Sequence, residues 1–252
     1  EREEAFQKME KKQVGLLRKK LTSLLEKAGP TRMDILKKKL EGALFNLGFT
    51  RVSTPSIITK SAMERMTIDG NHPLFKQIFW LDEKRCLRPM LAPGLYTLMH
   101  DLGRISSGPV RIYEMGPCFR KESQGALHSS EFTMLNLVEM GIPGESRLQR
   151  LKELALVVTK TAGAGDVGFQ EEISDVYGTT LDIVARHGES GTVELGSGAM
   201  GPHDLDPAWG ITDTWVGMGF GIERLLMISA GDTSMARWRK SLSFLDGIPL
   251  KI

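Results

Sequence analysis

Between residues 49 and 218 the chain presents nine short β-rich runs punctuated by Gly and Pro, with few helical patterns to connect them. The runs are 49–53, 77–81, 110–114, 118–122, 131–141, 169–173, 180–186, 192–196 and 215–218, and the clearest helices beyond residue 48 are 93–102, 145–162 and 221–228. Parallel neighbours need a crossover of about a dozen residues or more, so strands that follow strands directly must pair antiparallel. The expected fold class is therefore α+β, with a largely antiparallel sheet. A chain of 252 residues is long enough to bury one substantial core.

Helical sequence precedes these runs. Residues 5–27 carry Phe6, Met9, Leu17, Leu21, Leu24 and Leu25 at helical spacing among charges, and the pattern stops at Ala28-Gly29-Pro30. Thr31 stands three residues before Asp34 as an N-cap pair, and Leu36, Leu40, Ala43, Leu44 and Leu47 form one stripe ahead of Gly48. The organisation expected is a helical segment, 1–47, joined to a core, 48–252, in a single domain.

Net charge is +2, yet residues 1–40 hold 12 Lys or Arg against 6 Asp or Glu, and the remainder 21 against 25. A basic arm of this kind either meets nucleic-acid phosphates, where Lys and Arg displace counterions, or is a solvated helix face. Two cysteines, Cys86 and Cys118, lie outside any Cys-x-x-Cys or Cys/His cluster, which argues against a structural zinc site or disulfide framework and fits a reducing cytoplasm. No apolar run approaches the roughly 20 residues of a membrane span. The first four residues are charged, without an apolar h-region or an initiator Met, as expected of a trimmed chain with no secretory signal.

Three stretches can carry chemistry. Cys118 to Asn136 reads as strand, polar loop, strand, and alternation puts Arg120 with Glu122 on one face, and Phe132, Met134, Asn136 and Val138 on another. An Arg on a sheet floor grips phosphate or carboxylate with two donors, and a Phe ring offers a base a stacking surface. An Arg–Glu ion pair on a solvated hairpin with a core Phe fits the same residues. In the second, Trp215 to Met227, three alternate glycines run into a helix whose first turn holds Arg224, so either a ligand or a packed helix approaches the bare strand closely. The spacing is neither a dinucleotide fingerprint nor a P-loop. The third, Glu194 to Pro202, pairs a carboxylate with a Ser hydroxyl, oxygens that Mg²⁺ accepts. Strict alternation sets Glu194 and Ser197 on opposite faces, and only a bulge allowed by Gly196 or Gly198 brings both to one ion.

In this order, the pieces resemble the motifs of the class II aminoacyl-tRNA synthetases. Gly48-Phe49-Thr50-Arg51-Val52-Ser53-Thr54-Pro55 resembles motif 1, Phe119-Arg120-Lys121-Glu122 with His128-x-x-x-Phe132 motif 2, and Gly217-x-Gly-x-Gly-x-Glu223-Arg224 motif 3. Within the family, Lys76-Gln77-Ile78-Phe79, Leu87-Arg88-Pro89-Met90-Leu91-Ala92-Pro93, Arg120-Lys121-Glu122-Ser123, Glu131-Phe132-Thr133-Met134-Leu135-Asn136 and Trp215 to Gly221 are similar to the pyrrolysyl-type catalytic domain; phenylalanyl-type members are more distant look-alikes.

The resemblance implies a class II synthetase fold, an antiparallel sheet of seven-stranded type flanked by helices, and a homodimer built through motif 1. It implies a pyrrolysine-tRNA ligase that uses ATP and Mg²⁺, activates pyrrolysine or related acyl-lysines, and charges a cognate amber-suppressor tRNA. A small tRNA-binding domain, which family members fuse, encode apart or lack, is the remaining expected partner. Carried over by position, Arg120 holds the α-phosphate and substrate carboxylate, Glu122 the adenine amino group and Phe132 the adenine face. His128 and Arg224 meet the γ-phosphate, and Glu194 and Ser197 stand near Mg²⁺. Met90, Ala92, Leu95, Tyr96, Met99, Val138, Ala199, Trp215 and Gly219 belong to the amino-acid pocket, with Asn136 as its polar anchor and Tyr177 as a lid. Two positions depart from the family pattern: Thr179, where an acidic residue is common after Tyr-Gly, and Gly94, where Asn is more frequent. The alternatives are a non-ligating paralogue that binds ATP or amino acid as a regulatory module, and a phenylalanyl-type ligase, which Asn136 opposes.

Overall fold

A reciprocal cap starts the helix that leads into the core. The Thr31 hydroxyl accepts from the Asp34 amide at 3.2 Å, and the Asp34 carboxylate accepts from the Thr31 amide at 3.3 Å. The computed structural model describes residues 2–121, 129–186 and 191–250. Two helices, α1 (Arg2–Lys27) and α2 (Arg32–Asn46), are followed by β1 (Thr50–Arg51), β2 (Ile57–Thr59), α3 (Lys60–Glu64), β3 (Arg85–Leu87) and α4 (Ala92–Gly103). Then come β4 (Val110–Phe119), β5 (Glu131–Met140), α5 (Arg147–Ala162), β6 (Val167–Ser174), β7 (Gly178–Arg186) and β8 (Thr192–Gly201). The chain continues with α6 (Asp206–Trp209), β9 (Trp215–Gly221), α7 (Ile222–Ser229), β10 (Phe244–Leu245) and β11 (Ile248–Pro249).

Seven strands form the main sheet in the order β1-β4-β5-β9-β8-β7-β6. Every pairing is antiparallel except that of the short β1 with β4. Leu36, Leu40 and Leu44 of α2 join residues of α5 and α7 in a core on one sheet face. A second core, on the other face, takes Leu95, Tyr96 and Met99 of α4 with Trp209 and Trp215. By contrast, α1 buries none of its residues.

Three expected boundaries differ. The run 77–81 is not a strand: Pro73–Gln77 winds as a 3₁₀ turn capped by His72, and beyond it Trp80 makes one bridge to Cys86. Proline at the first position, with its φ preset and no amide to lose, starts the turn. The runs 110–114 and 118–122 are joined in β4, which passes unbroken through Gly116-Pro117 to end at Phe119. Pro117 is tolerated because its backbone faces away from β5, where its carbonyl accepts from Arg88 Nε at 2.8 Å. The run 192–196 extends to Gly201.

Arg88 and Glu114 form an ion pair inside this frame, each side chain 3% exposed, at 2.7 Å. Arg88 also donates to the Thr54 carbonyl, and Thr54 donates to the Glu114 carboxylate from its amide at 3.2 Å and its hydroxyl at 2.7 Å. The cluster ties the segment after β1 to β4 and to the chain entering α4. Glycines make room for it: a Cβ on Gly116 would lie 2.2 Å from Arg88 Nη2, and one on Gly94 would lie 2.5 Å from Thr54 Oγ1. Gly94, a departure from the family pattern, is thus where α4 meets this network. Breaking a buried pair leaves an uncompensated charge, so Arg88→Met should lower unfolding free energy by roughly 3–5 kcal/mol in urea titration; a loss below about 1 kcal/mol would contradict the role given to the pair.

Candidate functional site

The centre of the sheet is built around a strand with one bare face. In β9, Val216, Met218 and Phe220 point into the helical core, so the alternate positions Gly217, Gly219 and Gly221 turn to the other face. Register then brings the neighbours into rows across this strip: Asn136 pairs with Gly219, which pairs with Ser197, and Val138 pairs with Gly217, which pairs with Ala199. A Cβ on Gly219 would sit 3.1 Å from the Asn136 amide oxygen, so the missing side chain is the room Asn136 occupies. Above the strip lies a cavity of about 470 Å³.

Every site residue expected from the sequence that falls within the described residues lines this one cavity. From α4 and the segment before it come Met90, Ala92, Leu95, Tyr96 and Met99; from the sheet come Val138, Ala199, Trp215 and Gly219. Tyr96 stacks on Trp209 at 5.3 Å and meets Trp215 edge-on at 5.8 Å, giving the cavity a rigid aromatic wall. Asp206 fixes Trp215 by accepting its indole N–H at 3.0 Å, and burial pushes the Asp206 carboxyl above its ordinary range. Tyr177 lies on the β6–β7 connection at the cavity edge. Glu122 and His128 lie outside the described residues.

The polar end gathers Arg120, Phe132, Glu194, Ser197 and Arg224. Arg120 donates from Nε to the Pro89 carbonyl at 2.9 Å, which sets its guanidinium 5.3 Å from the centre of the Phe132 ring. Arg224, in the first turn of α7, donates to the Glu194 carboxylate at 3.2 Å and its carbonyl at 3.1 Å. Glu194 and Ser197 do share a face. The β7–β8 register jumps so that Ile183 faces Gly196 and Val184 faces Glu194, which leaves Leu195 as an extra residue on β8. A Cβ on Gly196 would come within 2.3 Å of the Gly219 carbonyl, so the bulge requires glycine there.

Alternation did not mark several other lining residues, among them His72, Gln77, Val176 and Glu223. Glu223 had a sequence signal, its place beside Arg224, but no role. The Thr133 amide, past the last β5–β9 pair, donates to both Glu223 oxygens at 2.8 and 3.0 Å. Burial raises the Glu223 carboxyl, against the lowering effect of those hydrogen bonds. Cys86 and Cys118 are buried free thiols, pushed up to about 11 and about 12 by desolvation, which removes them as nucleophiles.

Two lining residues carry a buried polar atom without a hydrogen-bond partner, the Asn136 amide oxygen on the sheet floor and the Tyr96 hydroxyl in the wall. Such a group costs stability unless a ligand completes it. Asn136→Ala should therefore unfold within about 1 kcal/mol of the parent protein, whereas Leu135→Ala, its neighbour on the core face, should lose about 2–5 kcal/mol. A large loss for Asn136→Ala in thermal melts would make the amide a structural element.

Comparison with known proteins agrees with this geometry. The sequence model of the "tRNA synthetases class II core domain (F)" family matches residues 21–244. The fold superimposes on the crystal structure of pyrrolysyl-tRNA synthetase from Desulfitobacterium hafniense with a TM-score of 0.90 and 50% identity, covering 99% of this chain and 88% of that one. A second structure from that organism, titled PylSc, a pyrrolysyl tRNA synthetase, gives 0.87 and 49%, covering 99% and 85%. The phenylalanine–tRNA ligase alpha subunit of Pyrobaculum aerophilum is 27% identical over 154 residues, 60% of this chain and 31% of its own length. The chain thus spans under a third of the first curated relatives it matches. With nearly the whole chain matched, and a seven-stranded, largely antiparallel sheet carrying the cavity on its glycine-bared face, the protein belongs to the class II tRNA synthetase core-domain family.

Proposed function

We propose that the protein activates pyrrolysine, or a lysine acylated on its side-chain nitrogen, with ATP and transfers it to a cognate tRNA. The observation that carries this is the unpartnered Asn136 amide oxygen beside the apolar, aromatic-walled end of the cavity. A long aliphatic side chain ending in an amide matches both features, because its methylenes fill the apolar length and its amide completes Asn136. Likeness to the two pyrrolysyl-tRNA synthetase structures at 49–50% identity supports the same substrate. Phenylalanine fills such a cavity but leaves the amide unpaired, at about 1–3 kcal/mol.

In the activation step the amino-acid carboxylate attacks the α-phosphate of ATP in line, and pyrophosphate leaves. Arg120, anchored through Pro89, is placed to hold carboxylate and α-phosphate together, and its fixed charge meets the charge that develops between them. Phe132 gives the adenine a face, with Glu122 assigned to its amino group; His128 and Arg224 are assigned to the γ-phosphate. Glu194 and Ser197 offer one carboxylate and one hydroxyl, and no group of three or more His, Cys, Asp or Glu among the described residues forms a cage. That sparse donor set fits Mg²⁺ carried on ATP phosphates, where the ion neutralises phosphate charge. Arg224, now paired with Glu194, would turn to the phosphates when ATP arrives.

The same proposal assigns the remaining partners. Basic residues of α1 and α2 suit tRNA, with or without a separate tRNA-binding domain. Motif 1, carried on α2 and β1, suits a homodimer, and Phe45 of α2 is 76% exposed. No helix among the described residues is long and apolar enough to cross a membrane, and buried free thiols suit the cytoplasm.

Amino-acid-dependent exchange of pyrophosphate into ATP, with Mg²⁺ and no tRNA, tests the activation step. Exchange is expected with pyrrolysine or an acyl-lysine and not with lysine or phenylalanine. Exchange with phenylalanine alone would make the protein a phenylalanyl-type ligase, and ATP binding without exchange a non-ligating paralogue. Arg120→Ala and Arg224→Ala should each reduce exchange by about 10²–10³ with the fold intact by circular dichroism. Asn136→Ala should narrow the preference for acyl-lysine over phenylalanine by about 5- to 150-fold, and an unchanged ratio would remove Asn136 as the anchor.

A further inference from the structure

The tip of the β6–β7 hairpin, Asp175-Val176-Tyr177, borders the cavity, and its backbone is held at two points. His72 Nε2 stands 3.2 Å from the Asp175 carbonyl, and His203 Nε2 stands 2.8 Å from the Tyr177 carbonyl. The histidines are distant in sequence: one caps the 3₁₀ turn Pro73–Gln77, and the other follows β8. Each is oriented in the same way. The Leu74 amide donates to His72 Nδ1 at 3.1 Å, and the Leu205 amide donates to His203 Nδ1 at 3.1 Å. A ring nitrogen that accepts carries no proton, so each neutral imidazole bears its proton on Nε2 and donates it to the hairpin carbonyl. The His203 ring also meets the Tyr177 ring edge-on at 5.5 Å, and its amide donates to Asp206 at 2.7 Å, the carboxylate that fixes Trp215.

We propose that His72 and His203 are positioning residues, a two-point latch that holds the hairpin tip and Tyr177 over the amino-acid end of the cavity. This rests on the assignment of the cavity to an acyl-lysine substrate. Neither histidine is assigned to ATP or to the reacting atoms, so the latch sets affinity for the amino acid and leaves the nucleotide site alone. His203 isolates the effect, because it lies outside the cavity lining while His72 is part of it.

Two conservative changes separate the jobs of the ring. His203→Gln keeps a donor where Nε2 was and loses the Nδ1 acceptor; His203→Asn keeps an acceptor where Nδ1 was and loses the donor. Two readouts apply to the full-length protein: pyrophosphate-exchange kinetics with an acyl-lysine, and amide hydrogen exchange of residues 174–178 without ligand. His203→Asn should raise the amino-acid KM about tenfold, the loss of one hydrogen bond, with kcat and the ATP KM within about twofold, and should speed hydrogen exchange at the tip. His203→Gln should stay close to the parent in both, and His72→Asn should speed hydrogen exchange at the tip as His203→Asn does. The latch is overturned if Asn preserves both readouts, if Gln and Asn lose them equally, or if the ATP KM moves with the amino-acid KM. Parent protein that exchanges pyrophosphate with no amino acid would instead count against the substrate assignment, and hydrogen exchange at the tip would still decide the latch.

Discussion

A central strand must serve two faces with opposite needs, and the site depends on how β9 does so. From Gly217 to Gly221 its odd positions carry no side chains, so the sheet floor there is backbone and a ligand can rest on it. Its even positions, Val216, Met218 and Phe220, are large and buried among α2, α5 and α7. Packed on the helical core by that face, the strand pairs with β5 on one side and β8 on the other across the glycine strip. Asn136 and Ser197 consequently face each other over Gly219 from strands that are not neighbours.

Around that floor, buried polar groups fix the walls. Arg88, Thr54 and Glu114 hold the entry to α4, whose Leu95, Tyr96 and Met99 make the apolar side. Glu223 completes the hydrogen bonding of β5 where β9 ends, which sets the first turn of α7 and therefore Arg224. Asp206 orients Trp215. In each case a carboxylate takes backbone or side-chain donors that the sheet leaves unpaired, as buried donors require. The exceptions in the cavity are the Asn136 oxygen and the Tyr96 hydroxyl, and exceptions of that kind inside a cavity are where a ligand belongs.

Much of this was legible in the residues. Alternation along β5 placed Phe132, Asn136 and Val138 on one face, because a paired strand has a strict period of two and its other face, Leu135 and Leu137, is core. The capping pair at Thr31 and the strand-to-helix passage at Gly221 were local signals that tertiary contacts did not override. Period two failed where the backbone departs from it. Glu194 and Ser197 meet only because Leu195 is extra, and Gly196 marks where a bulge is allowed without saying that one forms. The 77–81 run read as a strand because its residues are apolar and aromatic, but Ile78 is buried in the second core without a strand to pair with.

By itself the sequence determined the antiparallel α+β class, the bare strip of β9, the face that Asn136 occupies and the motifs of the family. Each of these follows from short-range rules: side-chain period, glycine's missing Cβ, and the spacing of turn residues. Tertiary structure alone decided that His72 and His203 meet one hairpin, that Arg224 pairs with Glu194, and that Asn136 is left without a partner. Those depend on contacts between residues 26 to 103 positions apart, whose distances are set by strand register and helix packing rather than by any local pattern.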